Sequence, residues 1–77
     1  VKQRLAHTLL QLEKEYGIQD DGSLRIQLSR EEIAGMIGTA TESCIRLLSE
    51  FNKEGIIELT GKKIILVNKN ILQKMSE

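Results

Sequence analysis

Two helix-start signals stand ten residues apart in this chain, Ser29-Arg30-Glu31-Glu32 and Thr39-Ala40-Thr41-Glu42, with Gly38 just ahead of the second. Each has the form of a capping box, in which the leading hydroxyl accepts from a free helix amide and the carboxylate three residues on reaches back. Two helices that begin so close together must turn sharply, and both must bury their apolar sides in one shared core. Ile33, Ala34, Met36 and Ile37 supply that side in the first helix. In the second, residues 41–54, about 100° per residue places Cys44, Leu47, Leu48 and Phe51 within one narrow arc, and Glu42, Ile45, Arg46, Ser49 and Lys53 on the other side. One face is core; the other is presented.

The flanking segments fit around that pair. Leu5, Leu9, Leu12 and Tyr16, with Ala6 and Leu10 beside them, form the stripe of an amphipathic helix ending at Gly17. After the turn cluster Asp20-Asp21-Gly22-Ser23, the alternation Leu24-Arg25-Ile26-Gln27-Leu28 predicts a short half-buried strand. Gly55 serves as the C-terminal cap of the second helix of the pair. Ile56-Ile57-Glu58-Leu59 and Lys63-Ile64-Ile65-Leu66-Val67, joined through Thr60-Gly61-Lys62, predict a β-hairpin. Asn68 caps a last short helix through Ile71, Leu72 and Met75. The order predicts an α+β, mainly α fold: a winged helix-turn-helix, with a three-helix core and a small antiparallel β-hairpin as the wing.

Length and composition set the bounds. Seventy-seven residues make one domain, 1–77. A chain that opens inside an apolar periodic pattern without Met suggests a domain excised from a longer protein. The longest aliphatic run, Ile64 to Val67, is far short of the roughly 20 apolar residues that span a bilayer, and no signal-peptide core is present. The single cysteine, Cys44, excludes an intramolecular disulfide and a cysteine-rich zinc site, which makes a reducing cytoplasm the expected location. In the apolar arc Cys44 reads as a small buried hydrophobe, and Met36 and Met75 as core fillers. His7, the only histidine, lies off the stripe of the first helix and reads as a surface residue. Without a nucleophile-base set, a glycine-rich phosphate loop or a metal-ligand cluster, the chain is expected to be neither an enzyme nor a holder of any cofactor or metal.

The expected activity is recognition of double-stranded DNA, because the B-DNA major groove accepts one α-helix and is read by the N-terminal end of the second helix of such a pair. Glu42 and Arg46 lie four residues apart at that end. Arginine can donate two hydrogen bonds to guanine and glutamate can accept from cytosine, while Ile45 between them can touch a thymine methyl. These three are the candidate base-reading residues. Lys62 and Lys63 on the wing, Ser29, Thr39, Thr41, Ser43 and Ser49 on the helices, and the first amides of the second helix are candidate phosphate contacts. Plainer alternatives stand beside these. Glu42 and Arg46 also have the spacing of an ordinary helix ion pair, and Lys62 and Lys63 can be a hairpin tip charged for solubility. Eleven basic residues balance eleven acidic ones, so net charge supplies no positive footprint. That balance and the exposed Ile45 keep open a protein-protein module on the same fold.

The segment from Leu28 to Leu48, LSREEIAGMIGTATESCIRLL, resembles the C-terminal DNA-binding domain of the Crp/Fnr family of bacterial transcription regulators. The likeness extends to the opening Val1-Lys2-Gln3-Arg4-Leu5-Ala6, to Glu54-Gly55-Ile56-Ile57 and to Gly61-Lys62-Lys63-Ile64. It implies that Glu42 and Arg46 occupy the family's two most characteristic base-reading positions and that the half-site holds a TGA-like core. Thr41 stands where one branch of the family has a further arginine, and Ile45 where another has a serine, so the outer base preferences are this chain's own. The resemblance further implies a longer parent with an N-terminal effector and dimerisation domain, and a homodimer on an inverted-repeat operator. The excised domain itself is expected to be a monomer or weak dimer, and RNA polymerase is a further expected partner.

Overall fold

The computed structural model describes all residues, Val1–Glu77. Its elements are α1 (Lys2–Tyr16), α2 (Arg30–Ile37), α3 (Thr41–Lys53), β1 (Ile57–Thr60), β2 (Lys63–Leu66) and α4 (Lys69–Ser76). α1 lies against both α4 and α2, α2 against α3, and α3 against β1. One core of 16 buried residues runs through all of them, and its largest members include Phe51, Leu5, Leu9, Ile33 and Leu48. The fold is the expected winged helix-turn-helix. No helix is long and apolar enough to cross a membrane.

Local chemistry accounts for most helix ends. Ser29 Oγ accepts from the Glu32 amide at 3.1 Å and the Ser29 amide donates to Glu32 Oε1 at 3.0 Å, so the first capping box forms in full. At the end of α3, Gly55 (φ 77) lets its own amide donate to Asn52 and the Ile56 amide donate to Phe51, closing the last turn. Asn68 caps α4 by accepting from the Ile71 amide at 3.2 Å. The hairpin pairs Thr60 with Lys63 across Gly61 and Lys62. Gly61 alone has positive φ (60), which is the pattern of a type II′ turn whose twist matches the strands it joins.

Four expectations need correction. The second capping box does not form: Ala40 is the N-cap of α3 and no side chain caps it. Thr39 is already used to finish α2, its amide donating to Ala34 across the left-handed Gly38, and α3 begins at Thr41, the residue expected, without a side-chain cap. The 24–28 strand is reduced to isolated bridges, Ile18 with Leu24 and Ser23 with Ile65. The Leu24 amide donates to Ile64 at 2.8 Å, and the chain then bends toward the Ser29 cap and leaves the edge of β2. Alternating burial survives there, with Leu24 buried and Ile26 and Leu28 half-buried, although the ladder does not. Met36 is 53% exposed, about 100° round the helix from Ile37 and outside the arc of Ile33, Ala34 and Ile37 that meets the core. Tyr16 is likewise exposed, because it is the last residue of α1 and Gly17 (φ 78) turns the chain away.

Candidate nucleic-acid interface

α3 buries Cys44, Leu48 and Phe51, with Leu47 half-buried, and this fixes the helix's rotation about its own axis. Glu42, Ile45, Arg46, Ser49 and Lys53 are all exposed on the other side, as the helical period requires. Burial pushes the Cys44 thiol up, against a smaller opposing pull from the Arg30 guanidinium; an uncharged thiol suits an apolar site.

Glu42 and Arg46 do not pair. The ion pairs of the molecule are Lys2 with Glu50 (3.6 Å), Lys63 with Asp21 (2.9 Å) and Lys69 with Glu13 (3.0 Å). The ordinary i, i+4 pairing is therefore not realised, and the acid and the guanidinium are both free for a ligand. Between them Ile45 is 46% exposed, an apolar side chain held in solvent. A surface with a donor fork, an acceptor and a methyl-sized apolar contact within one helical turn has the chemistry that base edges require.

The candidate phosphate contacts fall into two groups. Thr41 and Ser43 in the first turn of α3, and Thr39 just before it, are half-buried, while Ser49 further along is exposed. None of their hydroxyls caps the helix, so the first-turn amides keep their partial positive charge unspent. The second group surrounds the wing turn. Arg30 Nη2 lies 3.4 Å from the Gly61 carbonyl oxygen, bringing the start of α2, and with it Ser29, beside the turn that carries Lys62. Lys62 is exposed and unpaired. Lys63 is not in the same state, because its ammonium donates to Asp21.

Two supporting side chains carry no local sequence signal. Arg30 reaches the wing turn as above, and Asn52 Oδ1 accepts from the Leu59 amide at 3.4 Å, tying the end of α3 to β1. Arg30 and Gly61 are 31 residues apart and Asn52 and Leu59 seven, and neither pair makes a motif. His7 is exposed, and with Gln3, Arg4, Thr8, Met36 and Ser76 it lines a shallow hollow between α1, α2 and the chain's end.

Comparison with known proteins gives a consistent result. The model of the Crp-like helix-turn-helix domain matches residues 3–75. A CRP-like cAMP-activated global transcriptional regulator of Mycobacterium tuberculosis is 38% identical over 65 residues, which is 82% of this chain and 29% of that protein. Among solved structures, the CO-dependent transcription factor CooA from Carboxydothermus hydrogenoformans superposes with a TM-score of 0.85 at 32% identity, covering 99% of this chain and 36% of the other. A CRP/FNR-family transcriptional regulator from Thermus thermophilus gives 0.86 at 25% identity, with 99% and 40% covered. The chain thus spans about a third of the length of these proteins. A helix pair with a wing, an unpaired polar face on its second helix and a family match over nearly the whole chain agree, and the chain belongs to the Crp-like helix-turn-helix family of Crp/Fnr transcription regulators.

Proposed function

We propose that this chain is the sequence-specific DNA-binding domain of a bacterial transcription regulator, with α3 in the major groove reading a TGA-like half-site. The observation that carries the reading is the unpaired Glu42, Ile45 and Arg46 surface on a helix whose opposite face is fixed in the core. Arg46 donates to guanine, Glu42 accepts from cytosine and Ile45 packs on a thymine methyl. Ser29, Thr39, Thr41, Ser43 and Ser49, with the uncapped amides of α3, position the helix on the backbone. Lys62 does so from the wing, Lys63 being committed to Asp21 in the free domain. In the parent protein an N-terminal domain senses an effector and dimerises, and the pair engages an inverted repeat in the cytoplasm. RNA polymerase is the further partner proposed for that parent.

The test joins two copies through an added N-terminal linker and titrates them against a randomised palindromic duplex pool at two salt concentrations, followed by sequencing of the bound fraction. Enrichment of a TGA-containing inverted repeat, lost with Arg46→Ala, is the expected result. Binding that is absent or insensitive to salt overturns it and favours the protein-protein module, which the zero net charge and exposed Ile45 also suit.

A further inference from the structure

Two lysines stand side by side at the wing, Lys62 in the turn and Lys63 at the start of β2, and their surroundings differ. Along β2 the buried positions are Ile64 and Leu66, which places Lys63 and Ile65 together on the other face of the hairpin. The turn between α1 and α2 runs along the edge of β2 beside that face, leaving Lys63 and Ile65 half-buried. Ser23 bridges Ile65, the Leu24 amide donates to Ile64, and a Cβ at Gly22 would stand 3.8 Å from the Ile65 side chain. Asp21 is carried on this turn, with its carboxylate held by bonds other than the one to Lys63: the Ser23 amide donates to Oδ1 at 3.0 Å and the wholly buried Ser23 donates its hydroxyl to the same oxygen at 2.6 Å. The Lys63 ammonium then donates to Oδ2 at 2.9 Å.

Exposed ion pairs are usually worth little, because two flexible side chains must be held in one geometry. Here one partner is already held. Only the lysine loses freedom, and the bond is charge-assisted. The Asp21 carboxyl lies well below the usual carboxylate range, through the two Ser23 hydrogen bonds first and Lys63 after them, so it is ionised at neutral pH.

We propose that Asp21 is a positioning residue of the DNA-binding surface: it holds Lys63 back against the turn between α1 and α2, so that of the two adjacent wing lysines only Lys62 neutralises a phosphate. The charge that a hairpin tip of Gly-Lys-Lys offers to DNA is thereby halved by a residue 42 positions away in the chain. The inference rests on the DNA-binding reading above and deepens it at the wing.

The experiment measures how the affinity of this 77-residue chain for a duplex falls with salt, because each phosphate neutralised adds about 0.9 to the slope of log K against log salt. Lys62→Ala is expected to flatten the slope by about 0.9. Lys63→Gln, made together with Asp21→Asn so that no unpaired carboxylate is left beside the wing, keeps the stem, removes both charges and leaves the slope unchanged. Asp21→Asn alone, which keeps the acceptor for Ser23 and removes the charge that holds Lys63, steepens it by up to about 0.9, about a threefold gain in affinity at 50 mM relative to 200 mM salt. Thermal unfolding of each variant shows that the domain is intact, and a merely structural role for Asp21 would move the unfolding temperature and not the slope. Equal flattening by Lys62→Ala and by Lys63→Gln with Asp21→Asn, or a slope for Asp21→Asn alone equal to the parent's, overturns the inference while leaving DNA binding standing. A parent chain without salt-dependent binding sinks the DNA-binding reading itself, and the inference with it.

Discussion

Arg46 and Glu42 occupy successive turns of one helix with opposite charges, yet neither is spent on the other. If Arg46 reads a base, Arg46→Ala removes a bidentate contact worth about 1–3 kcal/mol at one G·C pair and leaves discrimination elsewhere intact. Affinities for a panel of single-base-pair variants of the site check this, and equal loss on every sequence would reduce Arg46 to a phosphate contact. Cys44, two residues away, does the opposite job. Wholly buried, with its thiol pushed up, it should stay unreactive toward a thiol reagent in the native domain and react only on unfolding. Glu32 links a residue to pH. The Ser29 amide and then its side chain hold the Glu32 carboxyl below its ordinary value, so its stabilisation is present above the unfolded value of roughly 4.3 and is lost as pH falls through the lower folded value. Glu32→Ala should therefore destabilise the domain at neutral pH, with the gap from the parent closing in acid; a gap that widened in acid would contradict the sign. Cys44, Arg46 and Ser29-Glu32 were all legible from spacing, since helical period and capping are local properties of a sequence.

The helices and the hairpin were legible for the same reason, and the corrections mark where locality ends. Leu24 to Leu28 alternates as a strand does, but a ladder needs a neighbour, and β2 lends its edge only to Ser23 and Leu24. Thr39 has the composition of a cap and the wrong place for one, because the end of α2 claims its amide first. Asp21 with Lys63, and Arg30 with Gly61, are 42 and 31 residues apart and have no signature that a linear reading could find. The missing cap on α3 yields a prediction at this scale. Ala40→Asp should stabilise the domain by about 0.5–2 kcal/mol, read by denaturant unfolding, because aspartate is among the best N-cap residues. The same carboxylate would occupy the amides that are proposed to hold a DNA phosphate. Duplex binding should therefore weaken as the fold strengthens. A variant that gained stability and kept its affinity would show that the start of α3 faces no phosphate.

At the scale of the molecule, zero net charge is compatible with DNA binding because charge is sorted in space. Of the eleven basic residues, Lys2, Lys63 and Lys69 are paired with Glu50, Asp21 and Glu13, and among those left unpaired, Arg46 and Lys53 on the presented face of α3 and Lys62 in the wing turn share the side offered to DNA. With so few unpaired cations on that side, one domain should bind weakly, near the non-specific range of roughly 10⁻⁴ to 10⁻⁶ M. The principal extents of 31 × 25 × 23 Å let one copy lie along about one turn of duplex, and a second copy related by twofold symmetry would then reach the next major groove about 34–36 Å away on the same face. Linked copies gain because the second contact becomes effectively intramolecular, but only where geometry lets both engage at once. Affinity of the linked pair should thus depend on helical phase: about five extra base pairs between half-sites put them on opposite faces and return the pair to single-domain affinity, whereas about ten restore the facing and, if the linker spans the gap, much of the gain. Loss that grew smoothly with spacing, without recovery at a full turn, would mean that the two domains do not read two faces-in-register half-sites.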